Sequence, residues 1–310
     1  MEIDNTSLEV LRECKYNKQD IGLVSDNAYI SIISTNNCNK ACFYCINSHT
    51  DRSKELPVDK ALANIRKAVE KYGIKEAVIL GGEPTIYNDL FKLIDGLKSL
   101  NLRKFGLTTN EIRLTEDYTY ARQVVTSGID WINISCDDIK RYNKLRALYC
   151  YIKDVNKGCK VRINTNIYRG NNDNIKDLDK FIRKFSGCCD EMRISNLIYK
   201  DEFSVNTTNN ETSYRRILND NEYEALFQEL ISLYTRKYNI SYIVNEKALG
   251  FVKYILLPLK VPVIINQNIN SKVSEQVCEN DISNKKIHTF KCLVTGDISL
   301  SWNTNNVIEL

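Results

Sequence analysis

Short β-rich runs alternate with helix-patterned stretches from about residue 28 to residue 195, and no other feature limits the fold of this chain so strongly. Alternation of this kind marks βα units, whose strands run parallel because each helix carries the chain back along the sheet. Six units can be read. Their strands are Tyr29–Ile33, Ala77–Leu80, Lys104–Thr108, Trp131–Ser135, Val161–Asn166 and Met192–Ser195. Between the first two, Ala61, Ile65 and Val69 recur at helical spacing within Val58–Tyr72. Further helices are expected around Leu90–Leu100, Asp117–Ser127, Arg141–Val155 and Ile175–Phe185, the second of these stopping before Gly128 as a C′ residue. Six such units predict an α/β fold, a partial (β/α)6 barrel rather than a closed eight.

The flanks divide the rest of the chain. Residues 1–27 form an N-terminal extension and residues 28–200 the barrel core. Residues 201–240 combine a loop rich in Asn, Thr and Ser, longer than a connection needs, with an amphipathic helix marked by Tyr223, Leu226, Phe227, Leu230, Ile231 and Tyr234. Residues 241–310 are a β-rich extension expected to cover the barrel mouth, with a turn at Thr295-Gly296-Asp297.

Composition excludes some partners. The formal charge of +4 comes from 43 basic and 39 acidic residues with no long block of one sign, which gives no basis for a nucleic acid or membrane partner. The first residues, MEIDNTSLEVLRECKY, lack a basic region followed by an apolar one, so the eleven Cys are read as thiols of a cytoplasmic protein rather than disulfides of a secreted one. The most apolar stretch, Ala248–Asn266, is interrupted by Lys253, Pro258, Lys260 and Pro262; it reads as core, not as a membrane span.

Three of those cysteines, Cys38, Cys42 and Cys45, fall in the loop after the first strand. A [4Fe-4S] cluster normally takes four thiolates, so a CxxxCxxC triplet leaves one iron open for another ligand. A structural zinc site is the chemical competitor. It needs four closed ligands, and the chain holds only two histidines, of which His49 alone lies near the triplet. Unliganded thiols are the remaining alternative. The second strand ends in Gly81-Gly82-Glu83-Pro84, and in parallel barrels reactive groups gather at the C-terminal strand ends. The two loops should therefore meet.

Together these features resemble the radical S-adenosylmethionine (radical SAM) superfamily, whose hallmark is CxxxCxΦC, with an aromatic residue at Φ, after the first strand of a partial barrel. Tyr44 stands at Φ, and the resemblance covers residues 28 to 195. It implies a [4Fe-4S] cluster on Cys38, Cys42 and Cys45, with SAM chelating the open iron. It also implies cleavage of SAM by an electron from reduced flavodoxin or ferredoxin, giving a 5′-deoxyadenosyl radical that removes a substrate hydrogen. Tyr44, Gly81, Gly82, Glu83 and Pro84 are the cofactor contacts that follow from the two motifs.

Other contacts are assigned by position at strand ends, each beside a structural alternative. Thr108 (or Thr109) faces SAM or completes a turn. Ser135 and Asp137 contact the ribose or methionyl group or cap the next helix. Asn164 and Asn166 share one face of the fifth strand and line a cavity. Arg193 pairs with the SAM carboxylate or with a surface acid.

The run Arg162–Asn166 followed by Arg169-Gly170-Asn171-Asn172-Asp173 is similar to the strand-five region of the molybdenum-cofactor cyclase branch. Many of those relatives carry auxiliary clusters on C-terminal cysteines. Here Cys278 and Cys292 have no CxxC companion, and Cys188 and Cys189 are adjacent, which points to a single-cluster protein in which the other cysteines are buried thiols. Cys292 stands as a candidate hydrogen-atom donor. Two enzyme readings remain, modification of a ribosomally made peptide and radical rearrangement, epimerisation, decarboxylation or coupling of a small metabolite. The first is favoured, although no leader-binding domain is expected before Cys38. A third reading is a cluster- and SAM-binding protein without turnover.

Overall fold

The structure, a computed structural model, describes residues 24–45, 50–197, 216–238, 241–246, 251–256, 261–266, 287–300, 307, 308 and 310. The N-terminal extension up to residue 23, most of the polar loop after residue 200, and Cys278 lie outside the described residues.

The six expected βα units are present. Strands β1 (Val24–Ile33), β2 (Glu76–Leu80), β3 (Lys104–Thr109), β4 (Trp131–Ser135), β5 (Lys160–Ile167) and β6 (Glu191–Asn196) pair in sequence order, each parallel to the next. Helices α1 (Val58–Tyr72), α2 (Leu90–Lys98), α3 (Ile112–Glu116), α4 (Tyr118–Thr126), α5 (Tyr142–Val155) and α6 (Ile175–Phe185) connect them. Local chemistry sets the helix ends. Asp117 accepts a hydrogen bond from Tyr120 N at the start of α4, Asn174 accepts from Asp177 N at the start of α6, and Gly73 closes α1 in the left-handed region.

Strand residues alternate. Ile30, Ile32, Ala77, Ile79, Phe105, Leu107, Ile132, Ile134, Val161 and Ile163 are buried in one core with Ala61, Ile65, Leu93, Ala121, Leu148 and Phe181 of the helices. The intervening positions, among them Ser31, Thr108, Asn133, Ser135, Arg162, Asn164, Asn166, Arg193 and Ser195, therefore occupy the opposite face of the sheet. That face is polar.

The C-terminal region extends the sheet on both sides. The order is β11-β10-β1-β2-β3-β4-β5-β6-β9-β8-β7, where β7 is Ser241–Glu246, β8 Phe251–Leu256, β9 Val261–Asn266, β10 Ile287–Cys292 and β11 Ile298–Ser299. Strand β9 runs parallel to β6 and β10 parallel to β1, so eight adjacent parallel strands form an open barrel instead of the six that the alternation alone predicts. Helix α7 (Asp220–Tyr238) packs beside α6, with Tyr234 OH donating to Asp179 Oδ1 at 2.7 Å. The β10–β11 turn at Thr295-Gly296-Asp297 is as expected, held by Gly296 N to Leu293 O at 2.8 Å. Among the described residues no helix is long and apolar enough to cross a membrane.

Candidate functional site

The site forms where β1, β2, β3, β4 and β5 end. The chain leaving β1 is first pinned to β2. Ser34 N donates to Leu80 O at 2.8 Å, Gly82 N to Thr35 O at 2.6 Å, and Glu83 N to Asn37 O at 2.8 Å. Two backbones cross so closely that a Cβ on Gly82 would lie 2.1 Å from Asn37 O, and one on Gly81 2.4 Å from Thr35 O. The glycine pair is thus required by this crossing.

Beyond Asn37 come the three thiols. Cys38, Cys42 and Cys45 are each half-buried and free of disulfides. Cys38 Sγ accepts from Lys40 N at 3.4 Å and from Asn110 Nδ2 at 3.7 Å, donors suited to a thiolate. Burial raises the Cys42 thiol above its ordinary value while Lys40 opposes the rise. Among the described residues no group of three His, Cys, Asp or Glu side chains is set to hold a metal ion.

Glu83 joins β2 to β3. Its carboxylate is 1% exposed; Oε1 accepts from Thr85 N (3.1 Å), Thr85 Oγ1 (2.6 Å) and Thr109 Oγ1 (2.6 Å), and Oε2 from Asn110 N (2.6 Å). Asn110 passes this fixation on to Asn39 Oδ1 (2.7 Å) and to Cys38. Pro84 starts the short 3-10 turn that Glu83 caps. Four hydrogen bonds solvate a carboxylate that lies far from bulk water.

Tyr44 reaches the end of β4, where its hydroxyl donates to Asp137 Oδ2. Asp137 Oδ1 also accepts from Asn166 N at 2.7 Å and Thr165 Oγ1 at 3.4 Å, so the Φ residue is tied to β4 and β5 together. Burial is the largest effect on Asp137 and raises its carboxyl above the usual range. Burial, reinforced by Asp137, likewise raises the Tyr44 phenol. Phe43 and Tyr168 stack edge-on beside Tyr44, and the Arg216 guanidinium lies 4.9 Å over the Phe43 ring. Next to them a cavity of about 400 Å3 is lined by Asp137, Asp138, Lys140, Tyr168, Arg169 and Arg216, among others.

A polar band crosses the face opposite the helices. Thr108 pairs in register with Asn133, Ser135 with Asn164, and Asn164 with Arg193. Asn133 Nδ2 donates to Thr108 Oγ1 at 3.1 Å, yet the Oδ1 atoms of Asn133 and Asn164 are buried without a hydrogen-bond partner among the described residues. Two orphaned acceptors in a row fit a face built to receive donors from a ligand. Burial and neighbouring Arg162 hold the Arg193 guanidinium below its ordinary value.

The structure therefore brings Cys38, Cys42, Cys45, Tyr44, Gly81, Gly82, Glu83, Pro84 and Asp137 to one rim, with Thr108, Ser135, Asn164, Asn166 and Arg193 on β3 to β6. Sequence reasoning missed Asn110, Glu111, Arg141 and Asn133. Asn110 follows a strand-end threonine pair, which was a usable signal; Glu111 and Arg141 are 30 residues apart and carry none. Cys292, the last residue of β10, is buried in the core, as are Cys188 and Cys189 just after α6.

Comparison with known proteins decides the family. Residues 32–185 match the model of the Radical SAM superfamily. The chain belongs to that superfamily of enzymes, whose members bind a [4Fe-4S] cluster and SAM. It is 32% identical over 165 residues to a probable GTP 3′,8-cyclase of Pyrococcus abyssi, covering 50% of this chain and 53% of that protein. A probable GTP 3′,8-cyclase of Methanococcus maripaludis is 32% identical over 117 residues, 36% of this chain and 38% of that protein. The chain thus spans about half or less of the length of these relatives. In fold it resembles SuiB of Streptococcus suis, with a TM-score of 0.63 at 13% identity over 98% of this chain and 67% of that one. SuiB bound to its precursor peptide SuiA gives 0.60 at 16% identity over 96% and 63%.

Proposed function

We propose that this chain is a single-cluster radical SAM enzyme that modifies a ribosomally made peptide. The observation that carries the reading is the rim itself: three free thiols on one loop, one of them receiving two N–H donors, pinned through Gly82, Asn110 and Tyr44 to three strand ends. When bound there, the cluster and SAM supply reductive cleavage of SAM and a carbon radical able to remove a substrate hydrogen. Reduced flavodoxin or ferredoxin is the proposed electron donor.

The chain's own residues hold and orient. Cys38, Cys42 and Cys45 would hold the cluster. The Gly82 carbonyl and Glu83 Oε2, which accepts from Asn110 N, receive the SAM ammonium. Ser135, Asn164 and Asn166 receive polar groups of the nucleoside and substrate, with Asn164 Oδ1 as a vacant acceptor. Tyr44, fixed by Asp137, walls the site against water.

Support for a peptide comes from the fold shared with SuiB across almost the whole chain and from β7, an edge strand to which an extended peptide can add. A small polar metabolite is favoured instead by the cavity of about 400 Å3, which has the size of a small-molecule site and carries Asp138, Lys140 and Arg216. Anaerobic reconstitution and reduction, followed by assay of 5′-deoxyadenosine against candidate peptides and metabolites, tests both. Deuterium passing from a labelled peptide into 5′-deoxyadenosine supports the proposal. Transfer only from a metabolite selects the second reading, and iron binding with no 5′-deoxyadenosine under any condition leaves a protein that binds cluster and SAM without turnover.

A further inference from the structure

Glu111 follows β3 in a conformation that its residue type disfavours. Its φ is 67°, in the left-handed region, where a side chain costs about 1–2 kcal/mol. Its carboxylate is fully buried. Arg141 grips it with both arms, Nε to Oε1 at 3.0 Å and Nη2 to Oε2 at 2.5 Å, and Thr115 Oγ1 donates to Oε2 at 3.3 Å. A second cation completes the group. Lys40 Nζ lies 3.7 Å from Oε1 and donates to Asn110 O at 3.3 Å.

Lys40 is the residue that matters, because it stands between Cys38 and Cys42 and its own amide donates to Cys38 Sγ. Strain tolerated at a buried position, together with an ion group that reaches into the thiol loop, is more than a tie between β3 and α5 requires. We propose that Glu111 is a positioning residue for the iron-sulfur site: through Lys40 it holds the Cys38–Cys42 turn and sets the charge beside the cluster. The inference rests on the cluster reading. Buried charges and hydrogen bonds next to an iron-sulfur centre tune both its retention and its potential.

The charges give opposite signs for two variants. Glu111, Arg141 and Lys40 sum to one positive charge. Glu111→Gln raises that sum to two and favours the reduced, more negative cluster, so the midpoint potential shifts upward. Lys40→Met lowers the sum to zero and shifts it downward. The double variant restores the sum to one, and its potential returns toward that of the wild type. Either single variant should also release iron to a chelator about tenfold faster, with the double variant no faster than the worse single.

The test uses the full chain, reconstituted anaerobically, with iron content, electron paramagnetic resonance potentiometry, chelator kinetics and thermal melting on each variant. Glu111→Gly, which accepts the left-handed conformation without strain, replaces Glu111→Gln if the latter does not fold. Shifts of opposite sign and non-additive iron release support the proposal. Unmoved potentials, shifts of one sign, or a lowered melting temperature in the Glu111 variant with Lys40→Met unchanged in every readout would overturn it. Wild-type protein that takes up no iron defeats the cluster reading itself, and the Glu111 role with it; normal iron uptake with silent variants defeats the Glu111 role alone.

Discussion

At the scale of single residues, Glu83 is the keystone of the rim, since one side chain fixes Thr85, Thr109 and Asn110. Glu83→Ala leaves two backbone N–H donors buried and unpaired, each worth about 1–3 kcal/mol. We expect a loss of about 3 kcal/mol in urea unfolding, with reduced iron retention through Asn110 and Cys38; unfolding at the wild-type midpoint would show that the bonds contribute nothing. Asp137 makes a prediction about pH. Burial lifts its folded pKa above the ordinary 3.8, so folding takes up a proton between that value and the raised one. Stability from this group is complete below 3.8 and is lost as pH rises through the raised value. Asp137→Asn lacks this slope, so the wild type should lose up to ~1.4 kcal/mol per pH unit relative to the variant across that window. Urea midpoints of both proteins measured from pH 4 to 7 check it, and parallel profiles would assign the titration elsewhere. The thiols and GGEP were legible because spacing and order along the chain define them. Glu111, Arg141 and Asn133 were not, because their partners are distant in sequence and only the register of β3 to β5 brings them together.

At the scale of elements, sequence periodicity located α1 at Val58–Tyr72, β4 at Trp131–Ser135 and α6 at Ile175–Phe185 with their observed ends. Gly73 closes α1 and Asn174 caps α6, so local chemistry and period agree at those ends. The short helix α3 was missed because Glu111 turns the chain in a way no local pattern announces. The crossing of the β1 and β2 ends was also hidden, although its glycines were visible. Their role followed only from the 2.1 Å approach of a Cβ on Gly82 to Asn37 O, a contact with backbone that cannot swing aside. Gly82→Ala should therefore displace the thiol loop and destabilise the protein by about 3 kcal/mol. Iron content per folded chain should fall with it. Calorimetry and iron analysis of the variant check both, and a wild-type melting temperature would show that the crossing is looser than the structure has it.

At the scale of the molecule, the C-terminal strands occupy both margins of the barrel core, and this arrangement was illegible because strand order is not written in strand pattern. The alternation ends at β6, yet the chain returns to add β9 beside β6 and β10 beside β1. Strand β10 supports the very strand that carries the thiol loop: Ile32 lies in register with Cys292, and Phe290 is fully buried and stacks on Tyr72 of α1 at 5.1 Å. Lys60 of α1 adds an ion pair to Asp297 at 2.7 Å, exposed enough to contribute under about 1 kcal/mol. Packing dominates. Phe290→Ala should cost about 3–5 kcal/mol, far more than Asp297→Asn. Deleting residues 287–310 should do more, because it bares the β1 edge and the apolar surface that Phe290 covered, and unpaired edges invite association. We expect the truncated chain to elute as large aggregates in size-exclusion chromatography while Phe290→Ala remains folded with a lowered melting temperature. A truncated chain that stays monomeric and loads iron as the wild type does would instead mean that the six-unit core carries the site unaided.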